Sequence, residues 1–169
     1  MKRFARLLLI ACILTSLTNS CSANVDVLIK QLESTTKAKK TTESLSLCDK
    51  LEKIARDKGN WPLAARAISH RLVIKCIKEK RDSKENILAL KDLVHKCKEP
   101  RLKPLLELVL AEWFWQYYTA HRSKYLDRSA IDDKSNKDFT TWSRDRLFEY
   151  ILEMLQRIAT ERKYLSTLK

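Results

Sequence analysis

The sequence predicts an all-α fold of antiparallel helical hairpins, in a tetratricopeptide-like or bundle arrangement. Three observations carry that prediction. One glycine and three prolines in 169 residues leave little material for the turns of a β-protein. Apolar residues recur every three or four positions, and no alternating run lies between Gly, Asn or Asp clusters as a strand would. The breaks between helical stretches are short, as at Lys58-Gly59-Asn60, so a helix must fold back against the one before it. The length suits one domain with a real core.

The first residues stand apart. Lys2, Arg3 and Arg6 precede the apolar run Leu7 to Leu14, and small polar residues follow, which is the order of a signal peptide. The run is too short to remain as a membrane span. Residues 1–23 are therefore expected to export the chain, and two cleavage patterns compete. Cys21 and Ala23 occupy the −3 and −1 positions of an ordinary peptidase site, with cleavage after Ala23. Alternatively, Cys21 is the lipidated first residue of a bacterial lipoprotein, behind a poor Thr18-Asn19-Ser20 lipobox. The first gives a periplasmic or secreted protein, the second a membrane-tethered one.

Residues 24–42 read as a short amphipathic helix, on Val25, Leu28, Ile29 and Leu32, followed by a polar linker from Thr35 to Thr42. The helical-hairpin domain is assigned to residues 43–169. Its first helix places Leu47, Cys48, Leu51, Ile54 and Ala55 on one face, and Gly59 suits the left-handed residue that closes it. Asn60 caps the next helix, Trp61 to about Arg81, whose first turn tolerates Pro62 and whose inward face carries Leu63, Ala64, Ala67, Ile68, Leu72 and Cys76. Asp82 or Ser83 caps a fourth, with Ile87, Leu90, Val94 and Cys97, which Glu99-Pro100 ends. A fifth begins near Arg101 and runs through Leu105, Leu106, Val109 and Leu110. Sliding the chain by 43 residues aligns Leu47, Leu51, Ile54, Leu63 and Ala67 with Leu90, Val94, Cys97, Leu106 and Leu110, so two hairpins of like design are expected to stack.

The fifth helix ends in the aromatic stretch Ala111 to Ser129. Trp113 with Tyr117, and Phe114 with Tyr118, lie four apart and form adjacent rows of rings. Rings at helical spacing are core in the first instance; the alternative is an open stacking platform for a ligand. Asp127 to Phe139 is polar and reads as a loop. Thr140 or Thr141 then caps a last helix carrying Trp142, Leu147, Ile151, Leu155 and Ile158.

Little points to chemistry. His70, His95 and His121 fall on three different helices, with no second ligand at zinc spacing, so no metal site is expected. One glycine allows no phosphate loop, and neither a cofactor nor an enzymatic activity is expected. Cys48, Cys76 and Cys97 sit at apolar helical positions and read as buried free thiols. The net charge is +13, and beyond residue 23 there remain 31 Lys and Arg against 21 Asp and Glu, a formal +10. That balance favours acidic partners, but the charges are mixed along solvated faces, and no nucleic-acid partner is expected.

The run Trp115-x-Tyr117-Tyr118-x-x-His121-Arg122, then Arg128-Ser129, then an acidic segment ending in Thr141-Trp142, resembles the N-terminal helical region of large bacterial alpha-2-macroglobulin-like proteins of the Bacteroidetes type. Leu51-Glu52-x-Ile54-Ala55-x-x-Lys58-Gly59-Asn60 resembles that region's first hairpin turn, and Tyr164-Leu165-Ser166-x-Leu168 a later motif. His121 stands where the family has Asn, and Ser129 where it has Thr. The bait region, β-sandwich domains and thioester of the family are not in this sequence. The resemblance implies a helical preface to a protease-trapping protein of the periplasm, whether a fragment, a truncated frame or a short relative.

The expected function is that of an exported, non-enzymatic interaction or spacer module with an unidentified protein partner. Its surface would be the groove between the third and fifth helices. The residues singled out are Trp115, Tyr118, His121, Arg122, Arg128 and Trp142, with Arg122 and Arg128 expected to clasp the acidic loop against the aromatic helix. The alternative function is ligand binding on the aromatic stripe.

Overall fold

A computed structural model describes residues 23–126 and 138–160. The chain is all-α. Its helices are α1 (Ala23–Lys37), α2 (Thr41–Asp57), α3 (Trp61–Glu79), α4 (Ser83–Lys96), α5 (Lys103–Ala120), a short α6 (Arg122–Leu126) and α7 (Arg144–Thr160), with a 3-10 turn at Phe139–Thr141 before α7. Residues 1–22, Cys21 among them, lie outside the described residues, as do Arg128, Ser129 and the segment from Glu161 onward.

Three of the helices end in the same way. In each, an amide one residue past a left-handed position reaches back five residues: Lys40 to the Thr35 carbonyl (2.9 Å), Asn60 to Ala55 (2.8 Å) and Arg81 to Cys76 (3.0 Å). The left-handed residues are Lys39 (φ 57°), Gly59 (φ 67°) and Lys80 (φ 53°). Only Gly59 adopts that conformation without a side-chain penalty. Helix starts are equally local. Asn60 Oδ1 accepts from the Leu63 amide at 3.1 Å ahead of Pro62, and Asp82 Oδ1 accepts from the Ser83 amide at 2.6 Å.

These turns fold α2 onto α3 and α4 onto α5 as two hairpins. The hairpins stack through α3, which touches both α4 and α5; α1 covers α2, and α7 lies along α5. The helix starts Thr41 and Trp61 against Ser83 and Lys103 keep one spacing, within a residue of the offset visible in the sequence. One core runs through the stack, with Cys48, Leu51, Ala55, Ala64, Leu90, Leu102, Leu106, Phe114, Phe139, Leu147 and Met154 almost wholly out of water.

Two boundaries differ from expectation. The stretch from Thr35 is not a linker: α1 continues to Lys37, and residues 38–40 alone separate it from α2. Thr35 Oγ1 donates to the Gln31 carbonyl (2.9 Å) and accepts from the hydroxyl of buried Ser44 (3.0 Å), so small polar residues satisfy one another where apolar ones were sought. The last helix is not capped by Thr140 or Thr141. Asp138 caps the 3-10 turn, Trp142 is extended, and the Ser143 hydroxyl accepts from the Arg146 amide at 3.3 Å to start α7. On α7 the buried positions are Leu147, Met154 and Ile158, whereas Leu155, expected inward, is exposed.

Cys48 and Cys76 are buried free thiols; Cys97, expected to be buried too, is half-buried. Burial, with help from the neighbouring Asp49 and Glu52 carboxylates, pushes the Cys48 thiol up to about 12 against the pull of Arg71, so it stays protonated and acts as a small apolar side chain.

The turns give a paired prediction. A Cβ at Gly59 would meet nothing within 4 Å, so Gly59→Ala tests backbone strain alone and should destabilise by about 1 kcal/mol in urea unfolding. Lys80→Gly should have the opposite sign, stabilising by roughly 0.5–1 kcal/mol. Equal signs for the two would mean that the left-handed closures do not set these ends.

Candidate functional site

The aromatic end of α5 is an internal pillar. Phe114 is fully buried between Phe139 (centroids 5.0 Å, 89°) and Tyr150 (5.4 Å, 78°). Tyr118 meets Phe148 at 4.8 Å and Tyr125 at 5.6 Å, and Tyr117 meets Phe139 at 5.1 Å. Edge-to-face pairs of this kind add about 0.5–1.5 kcal/mol each beyond the area they bury. Trp113 is buried as well. Trp115, 47% exposed, is the one ring of the stripe with a large open face, resting against Tyr118 (5.7 Å) and Phe148 (5.6 Å). A platform of several open rings on α5 is therefore not what the residues build.

The expected clasp of Arg122 and Arg128 on the acidic loop involves residues 127–137, which lie outside the described residues. Trp142 is buried against Tyr150 at 5.1 Å, with the Arg146 guanidinium 4.5 Å and the Lys91 ammonium 6.0 Å from its ring. Asp138 is held by Lys84 of α4 at 3.1 Å and accepts from the amide and hydroxyl of Thr140. The Thr140 bonds and then Lys84 hold its carboxyl below the usual carboxylate range. The buried Tyr125 hydroxyl donates to the Phe139 carbonyl at 3.2 Å. Arg122, in contrast, is exposed and makes no ion pair with a described residue, and Arg128 lies outside the described residues. His121 stacks on Tyr117 at 4.2 Å, its Nδ1 2.9 Å from the Tyr117 carbonyl, where α5 ends. Tyr118 and His121 thus pack among the rings at the end of α5, Trp142 packs on Tyr150 of α7, and the cations beside Asp138 and Trp142 are Lys84, Lys91 and Arg146. Arg146 is near Trp142 in sequence, although Trp142 is extended and precedes α7; Lys84 and Lys91 come from α4 and carried no local signal.

A cleft of about 400 Å³ opens between α3 and α5, with α2 and α4 also contributing to its walls. Ile68, Leu93, Leu102 and Leu106 form its floor, and Arg56, Arg71, Lys96, Lys98, Glu52 and Glu99 its rim. The rim is braced by ion pairs. Arg71 holds both Asp49 (2.9 Å) and Glu52, Arg56 joins Glu52 at 2.8 Å, and Arg101 joins Glu99 at 3.1 Å while lying 4.9 Å from the Trp61 ring. Burial works against the Arg71 charge, but the bonds to Asp49 and Glu52 outweigh it and raise its pKa. Four cations against two carboxylates leave the rim positive. Among the described residues no group of three His, Cys, Asp or Glu is placed to hold a metal ion, and no helix is long and apolar enough to cross a membrane.

No family model, curated protein or solved structure matches the chain.

Two outcomes follow. Phe114→Ala should cost about 3–5 kcal/mol in chemical unfolding, whereas Arg122→Ala should stay within about 0.5 kcal/mol of the parent. Half-buried His70 is held neutral, its pKa lowered to about 4 by burial and then by Arg66. The unfolded imidazole takes up a proton near pH 6.5, so its contribution is complete above that pH and is lost as pH falls toward 4. Unfolding monitored from pH 7 to 5 should show about 2 kcal/mol of lost stability, a slope that His70→Gln removes.

Proposed function

We propose that this chain is an exported, non-enzymatic protein-interaction module of the cell envelope, which docks an acidic, partly apolar segment of a partner protein in the cleft between α3 and α5. The observation that carries this is the cleft itself: an apolar floor inside a positive, ion-pair-braced rim, at the junction of two stacked hairpins. Rigid walls favour docking because little side-chain entropy remains to be lost on binding. Arg71 and Arg56 are already fixed by Glu52, which leaves Lys96 and Lys98, both exposed, as the cations free to turn toward an incoming carboxylate; Lys96 gives up only a surface pair with Asp92. The formal +10 beyond residue 23 steers an acidic segment toward the protein at long range.

Export rests on the order of charge and hydropathy in residues 1–23. Cleavage after Ala23 and lipidation at Cys21 both keep Val25 and Leu32, the buried residues of α1, in the mature chain. The two differ in whether the module is tethered to a membrane.

Fluorescence anisotropy with a panel of labelled peptides that pair Asp or Glu with Leu or Phe tests the docking. Binding should weaken with salt and fall at least about tenfold in Lys96→Glu/Lys98→Glu, with the melt unchanged. Equal affinity in that variant, or no binding by any acidic peptide of the panel, contradicts the proposal.

A further inference from the structure

Among the described residues seven large apolar side chains stand exposed, and four of them lie on two helices that pack together: Leu108 and Trp115 on α5, Leu152 and Leu155 on α7. Exposed apolar residues scattered singly are ordinary; four in one groove are not. The contacts of Phe114 with Tyr150 and of Tyr118 with Phe148 show that the two helices run antiparallel. Trp115 faces Phe148 at one level. Seven residues down α5 and seven up α7, two turns or about 10 Å away, the helical repeat brings Leu108 and Leu155 round to the faces of Trp115 and Phe148. Leu152 lies between these levels, one turn from Phe148, and half-buried Ile151 lies deeper.

The stack itself says what shape fits there. α5 lies in the groove between α3 and α4, touching both. α7 follows and packs on α5 as α4 follows and packs on α3, so the α5–α7 groove repeats the α3–α4 groove one step along. The element that fills the first of these grooves is a helix with an apolar face. The rim supplies the charge preference. Glu112 on α5 and Glu149 on α7 border the groove, Glu112 bonded only to the neutral Gln116 amide and Glu149 without an ion pair to a described residue. Arg144, which begins α7, is occupied by Asp145 at 2.8 Å. This is the reverse of the positive cleft between α3 and α5.

We infer that the α5–α7 groove is a second docking surface, which takes an amphipathic helix of another polypeptide with leucine or aromatic residues every third or fourth position and lysine or arginine along its flanks. The helix lies where a further helix of the stack would lie, its apolar face on Trp115, Leu152, Leu155 and Leu108 and its basic flanks on Glu112 and Glu149. Trp115 is the anchor, a large ring half in water whose remaining face is already fixed by Tyr118 and Phe148.

The test is calorimetric titration of the full chain with an 18-residue helical peptide carrying Leu at i, i+4, i+7 and i+11 and Lys beside them. Binding should be at least about tenfold weaker in Leu152→Glu and in Trp115→Ala, and in the parent chain when the peptide's Lys are replaced by Glu, while Lys96→Glu/Lys98→Glu leaves it unchanged. Leu152 is exposed, so Leu152→Glu should keep the parent melt. Undiminished binding by Leu152→Glu overturns the inference. So does a free chain in which light scattering reports a dimer that Leu152→Glu dissolves, since a second copy would then hold the groove. So does a free chain in which Trp115 is already shielded from acrylamide, since another part of the chain would then cover it.

Discussion

The structure depends on keeping Phe114 dry. Its ring is touched by two elements that follow α5, by Phe139 of the 3-10 turn and by Tyr150 of α7. α5 therefore has two jobs at once. Through Leu105, Leu106, Val109 and Leu110 it closes the second hairpin and rests on α3, and through Trp113, Phe114 and Tyr118 it carries everything that comes later. Such a helix cannot keep a polar face; its exposed sector is narrow, and Leu108 and Trp115 fall in it.

The polar groups are arranged around that pillar, not within it. Lys84 on Asp138 and Lys91 beside Trp142 tie the 3-10 turn back to α4, so the turn is gripped by the second hairpin on one side and by α5 on the other. Pairs this exposed add modestly to stability. What they do is place Trp142 and Phe139 where α7 must start. The cleft by Leu102 and Leu106 shows the same division, with an apolar floor from the stack and a charged rim from the helix surfaces.

Much of the fold was legible because helical hairpins are specified locally. Gly59, Asn60, Pro62, Asp82 and Pro104 mark helix ends by mechanisms that act within a few residues, and the apolar spacing of α2 to α5 marks their inner faces. The closures at Lys39 and Lys80 were not legible, because a lysine in the left-handed region leaves no compositional trace. Nor was the helical state of Thr35, since hydroxyls that bond the preceding turn look like linker residues. At the site, Tyr118 was found from aromatic spacing and Trp142 from the apolar pattern of the last helix, but the cations beside Trp142 and Asp138 were not singled out in the sequence. Lys84 and Lys91 lie more than 40 residues before the groups they meet, and only the packing of α4 brings them there. The exposure of Leu155 was hidden for a related reason: periodicity shows that α7 has an apolar face, not how wide a part of it the rest of the stack covers.

The most direct test of α5 as an internal pillar is ¹⁹F NMR of the chain labelled with 5-fluorotryptophan, reading the shift of each of the four indole resonances on transfer from H₂O to D₂O. Trp61, Trp113 and Trp142 should barely respond, and Trp115 alone should shift as a half-exposed ring. A solvent response at Trp113 or Trp142 comparable to that of Trp115 would mean that the aromatic helix is not enclosed.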